Sequence, residues 1–78
     1  MKEVIITIVK SNMIGQWDYT LMINKKKVSS GHKAGNCTAG AAAKAMELAI
    51  NYGGNYYIFA PNDVLAHIPE HLRVGKTD

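Results

Sequence analysis

Residues 38–53 read TAGAAAKAMELAINYG, and the reading of this stretch decides the fold. It is rich in strong helix formers and holds neither proline nor a β-branched run. Thr38 is the expected N-cap, its hydroxyl placed to accept an orphan N–H of the first turn. Gly53 is expected just past the end, in the left-handed conformation that penalises any side chain. Gly40, Lys44, Glu47 and Asn51 recur at three- and four-residue spacing and form one stripe, while alanines and larger apolar residues fill the rest. The first two turns are nearly all alanine, so the helix is expected to approach a flat sheet closely. That leaves no room for a buried active site beneath it.

Upstream, residues 3–9 form a β-branched run with Val4, Ile6 and Ile8 on one face and Ile5, Thr7 and Val9 on the other. Residues 11–16 are turn-prone. Residues 17–23 alternate cleanly, Trp17, Tyr19, Leu21 and Ile23 against Asp18, Thr20 and Met22, as a half-buried strand does. Asn24-Lys25 predicts a tight reversal into a third strand at 26–30, followed by a flexible loop over 31–37. Downstream, residues 55–60 read as an aromatic-rich fourth strand, and Pro61-Asn62-Asp63 carries turn chemistry. Residues 64–68 fit either a fifth strand or a short helical turn. The alternation of Val64, Ala66 and Ile68 favours the strand, and residues 70–78 are expected as a tail that ends frayed. The expected fold is α+β: a four- to five-stranded antiparallel sheet in the order β-β-β-α-β-β, with one helix packed on one face. The other face then carries Ile5, Val9 and Met22 beside Thr7 and Thr20. Either a partner or second copy covers it, or it is a tolerated apolar surface.

Seventy-eight residues make a single domain, 1–78. One cysteine permits no internal disulfide and fits a reducing cytoplasm. Cys37, in a polar loop before the helix, reads as an incidental small residue; activation by the helix N-terminus is the sharper alternative, with no obvious base beside it. The start MKEVIITIVK is too short in its apolar run for a signal peptide and is interrupted by Glu3. No stretch is long enough to span a membrane, so a cytoplasmic location is expected. Nine Lys/Arg against six Asp/Glu give a net charge of +3, mild for a nucleic-acid binder. Lys25, Lys26 and Lys27 nonetheless form a run, with His32 and Lys33 nearby. The run is either a solvated hairpin tip that protects a sheet edge or an electrostatic footprint for an acidic partner.

Catalytic patterns are sparse. The β-β-β-α-β order is shared with the first half of ribonuclease H-like domains, which hold two metal ions on carboxylates. The comparable places here carry Thr7 or Lys10, alanines or Glu47, and Asn62 or Asp63, which argues against a metal nuclease. His67 and His71 are separated by Pro69, which forbids a regular helical metal pair. Ser29-Ser30-Gly31-His32 lacks a nucleophile elbow and an orienting carboxylate in sequence. The glycines have no phosphate-loop spacing. No enzyme activity, metal or cofactor is expected.

From Gly40 onward the chain resembles a phage-encoded anti-CRISPR family that inhibits type I surveillance complexes, notably of subtype I-F. The residues that carry the resemblance are GAAAKAMELAI in the helix, NYYIFAPNDVLAHI after it, and the ending IPEHLRV. The N-terminal half matches in pattern alone. The resemblance implies a non-catalytic inhibitor in the bacterial cytoplasm. It would dock on a multisubunit RNA-guided complex and block target-DNA engagement or recruitment of the helicase-nuclease. Its partner would be that complex, with or without bound target DNA, and neither a membrane nor bare DNA; the chain itself would be a monomer or weak dimer. The positive charge argues against a DNA mimic. The expected partner-binding residues are Lys25, Lys26, Lys27, His32, Lys33, His71 and Arg73. The alternative is a small nucleic-acid-binding regulator or antitoxin-like module, which would bind bare DNA or RNA with strong salt dependence.

Overall fold

The computed structural model describes residues 2–12, 14–52 and 54–77; within these, the side chains of Lys33, Lys76 and Thr77 are not described. Five strands form one sheet: β1 (Glu3–Lys10), β2 (Trp17–Ile23), β3 (Lys26–Gly35), β4 (Gly54–Phe59) and β5 (Val74–Thr77). The helix α1 spans Thr38–Tyr52, and a single short turn of helix, α2, spans Asn62–Leu65. The strand order is β3-β2-β1-β4-β5. The α+β class and the helix on one face are as the sequence implies.

One expectation is corrected in the sheet's sense: β4 runs parallel to β1, so the sheet is mixed rather than antiparallel. The helix forces this. β1 to β3 alternate in direction, which leaves β3 parallel to β1. A fifteen-residue helix spans about 22 Å and carries the chain back to the end where β3 began. A strand that starts there must run with β1.

The β2–β3 turn shows how local chemistry fixes register. Asn24 and Lys25 both have positive φ, 50° and 69°, the type I′ geometry whose twist matches a hairpin. Asn24 Oδ1 accepts the Glu3 N–H at 3.0 Å, and the Asn24 N–H donates to the Glu3 carbonyl at 2.9 Å. Thus the turn is tied to the start of β1. β3 then extends to Gly35, five residues beyond the expected end, so the loop expected at 31–37 is mostly strand.

The buried face holds Val4, Ile6 and Ile8 of β1, Trp17 and Leu21 of β2, and Tyr56 and Ile58 of β4. Over them lie Ala41, Ala42, Ala45, Leu48 and Ala49 of α1. The close approach expected of the alanine-rich turns is real where α1 begins. A Cβ on Gly35 would stand 2.5 Å from the Ala41 nitrogen, so only glycine lets the end of β3 pass there.

The cap, however, is not Thr38. Cys37 occupies the N-cap position, its Sγ accepting the Gly40 N–H at 3.3 Å, while Thr38 Oγ1 lies 3.0 Å from His67 Nε2. The expected C-terminal role of Gly53 lies outside the described residues. On the outer stripe, Lys44 Nζ sits 3.8 Å from Glu47 Oε1 and 5.2 Å from the centroid of the Tyr19 ring.

Residues 64–68 are not a strand. Val64 and Ile68 are both buried and Ala66 is exposed, a four-residue period that plugs the open end of the core beside α1. The chain segment expected as a tail supplies the fifth strand instead: Val74–Thr77 pairs antiparallel with β4. Gly75 permits it, because the Tyr56 ring lies where a Cβ would be.

Candidate functional site

Helix α1 covers one face of the sheet, leaving the opposite face open. Its side chains can be read from the register. One row crosses all five strands as Lys27, Met22, Ile5, Tyr57 and Val74. The next row is Ser30, Thr20, Thr7 and Phe59, and beyond it Asp18 stands beside Val9. Val9, Phe59 and Val74 are 50–58% exposed, although each is large and apolar. Tyr57 and Phe59, two apart on β4, present the two aromatic side chains of this face.

At the β3 edge the face dips into a shallow concavity of about 300 Å³ lined by Val9, Asp18, Thr20, Lys27, Ser30 and His32. His32 Nδ1 lies 3.5 Å from Asp18 Oδ1. That separation is within ion-pair range but does not make a hydrogen bond, and among the described residues the buried Asp18 oxygen has no hydrogen-bond partner. Asp18 thus supplies the carboxylate beside His32 that adjacent sequence lacks. Ser30 shares the concavity, yet no hydrogen bond joins it to His32 among the described residues. Ser29 bonds toward the other face, its Oγ 3.4 Å from the Tyr19 hydroxyl. Among the described residues, no group of three or more His, Cys, Asp or Glu side chains is placed to hold a metal ion.

The expected partner-binding residues fall into three places. Lys25, Lys26 and Lys27 are exposed at the β2–β3 turn. A further lysine is brought to the same end of the sheet from a remote position: Lys2 precedes β1 and accepts the Asn55 N–H at 3.0 Å through its carbonyl. His32 and Lys33 lie toward the far end of β3, in strand rather than loop. His71 is exposed in a 3-10 turn, Glu70–Leu72, just before β5. Arg73 is occupied: its guanidinium donates to the carbonyls of Leu65 at 2.8 Å and Ile68 at 3.0 Å. It ties the segment after α2 to the start of β5, which is a structural role.

Tyr57 and Phe59 were absent from the sequence-derived set. Strand alternation would have shown them on the face opposite Tyr56, once β4 was known to lie beside β1. Trp17 and Tyr19, the aromatics with the clearer pattern, pack in or against the core. No helix among the described residues is long and apolar enough to cross a membrane. No protein-family model and no curated protein matches the chain significantly.

Proposed function

We propose that this chain acts by docking rather than by catalysis, as an anti-CRISPR inhibitor of a type I surveillance complex in the bacterial cytoplasm. The resemblance over the helix and the segments after it supports the family. The observation that supports docking is the open sheet face, where apolar side chains stand half exposed next to a lysine-rich end. On this reading the covered face supplies stability and the open face supplies contact. The basic end would meet acidic groups of a nucleoprotein partner, and the apolar rows would exclude water at the centre of the contact. Blocking target-DNA engagement or helicase-nuclease recruitment needs only occupancy of a surface, which suits a rigid domain of this size. No cofactor enters this function.

The experiment is co-purification of the chain with type I complexes, with and without target DNA. The reading expects retention on the complex and loss of target cleavage. It is abandoned if no type I complex retains the chain. It is also abandoned if replacing Lys25, Lys26, Lys27, His32 and Lys33 together with alanine leaves inhibition unchanged.

A further inference from the structure

We infer that the open sheet face is a binding site for single-stranded nucleic acid, with Tyr57 and Phe59 as stacking platforms and the lysine end as the phosphate contact. Two observations carry this. The first is the placement of the rings. Residues i and i+2 of a strand point the same way, about 7 Å apart, so Tyr57 and Phe59 offer consecutive faces along β4. Phe59 is 56% exposed although it ends a central strand. Beside it in register stand the hydroxyl groups of Thr7, Thr20 and Ser30, which can donate to or accept from base edges. Aromatic rings on an open sheet, flanked by small polar groups, suit unstacked bases and tolerate any sequence.

The second observation is charge. Four of the chain's nine Lys/Arg residues (Lys2, Lys25, Lys26 and Lys27) belong to segments that meet at one end of the sheet. Among the described residues there, Glu3 is the acidic one. The end adjoins the row that holds Tyr57, and Lys27 stands in that row itself. A backbone running from the lysine end up along β4 would place successive bases over Tyr57 and then Phe59.

Duplex is the poor fit, because its paired and stacked bases offer no free faces to the rings. The inference departs from the resemblance, which implies no binding to bare DNA: it shares its surface with the docking reading but not its partner. It is tested with the purified chain and an oligonucleotide alone, so either can fail without the other.

The experiment is fluorescence anisotropy with a short labelled oligouridylate, the matching oligothymidylate and a duplex of equal length, at low and physiological salt. The single strands are expected to bind at least about tenfold more tightly than the duplex. Tyr57→Leu and Phe59→Leu keep apolar bulk and remove the π-face; each should weaken single-strand binding about tenfold, the scale of one base–aromatic stack. Lys25→Gln with Lys26→Gln should weaken every strand alike and lower the salt slope by about 1.4, at about 0.7 per phosphate. Circular dichroism melts check that each variant is folded. Absence of single-strand binding at low salt overturns the inference, as does equal affinity for duplex. Unchanged binding by folded Tyr57→Leu and Phe59→Leu variants also overturns it. So does sedimentation of the free chain as a dimer that the same leucine substitutions dissociate, which would assign the face to a second copy.

Discussion

Ile5 and Ile6 are neighbours in one strand with identical side chains, and they live in different worlds. Ile6 is fully buried against α1, in a layer closed by methyl groups. Ile5 points to the open face, between Met22 and Tyr57, and remains partly in water. Strand geometry makes the difference, because successive side chains leave on opposite faces. The lesson is a division of labour. One face is packed to the limit that glycine and alanine allow, and the other keeps apolar and aromatic groups exposed at a cost in hydration.

The comparison breaks first at these two residues. Ile6→Ala should lower unfolding stability by about 4 kcal/mol, the cost of a cavity in a small core. Ile5→Ala should lower it by about 1 kcal/mol, since water already reaches the site. Equal losses in urea unfolding would mean that the open face is as closed as the other. Gly35→Ala probes the closeness of the covered face. Its methyl group meets the Ala41 backbone rather than a side chain that can move, and about 3 kcal/mol of destabilisation is expected, with a fall in melting temperature.

Arg73 and His71 sharpen the comparison at the β5 side. Arg73→Ala removes two hydrogen bonds to carbonyl groups and should cost about 2 kcal/mol by chemical denaturation. His71→Ala, at an exposed position, should stay within about 0.5 kcal/mol of wild type. The smallest effect has the opposite sign. Lys25→Gly should raise stability by about 0.5 kcal/mol by relieving a positive φ. It should also weaken contact with an acidic partner, and a variant that gains stability without losing contact would remove Lys25 from the contact surface.

Much of this molecule is legible in its sequence, and what is not has physical reasons. The helix at 38–52, the three-stranded start and the Asn24-Lys25 reversal follow from period, propensity and turn chemistry, all local signals. The cap moved by one residue because Cys37 offers a sulfur to Gly40 while Thr38 is drawn to His67, a partner twenty-nine positions away. Residues 64–68 carry a pattern that fits period two through Ala66 and period four through Ile68. Burial decides between them, and burial is a tertiary fact. β5 hides in four residues, VGKT, whose glycine weakens any strand signal until the Tyr56 ring is seen to need it. The candidate site was half visible. The lysine run stands out as a sequence feature, but Lys2 joins it only through the sheet. Tyr57 and Phe59 gain meaning only from their face.

The most direct test of the division between faces is hydroxyl-radical footprinting of the chain bound to a type I surveillance complex. Met22, Tyr57 and Phe59 report on the open face, and Ile50, 80% exposed on α1, reports on the helix side. The account predicts strong protection of Met22, Tyr57 and Phe59 on binding, with Ile50 oxidised at its free rate. Protection of Ile50 with Phe59 unchanged would contradict it and place the contact on the helix.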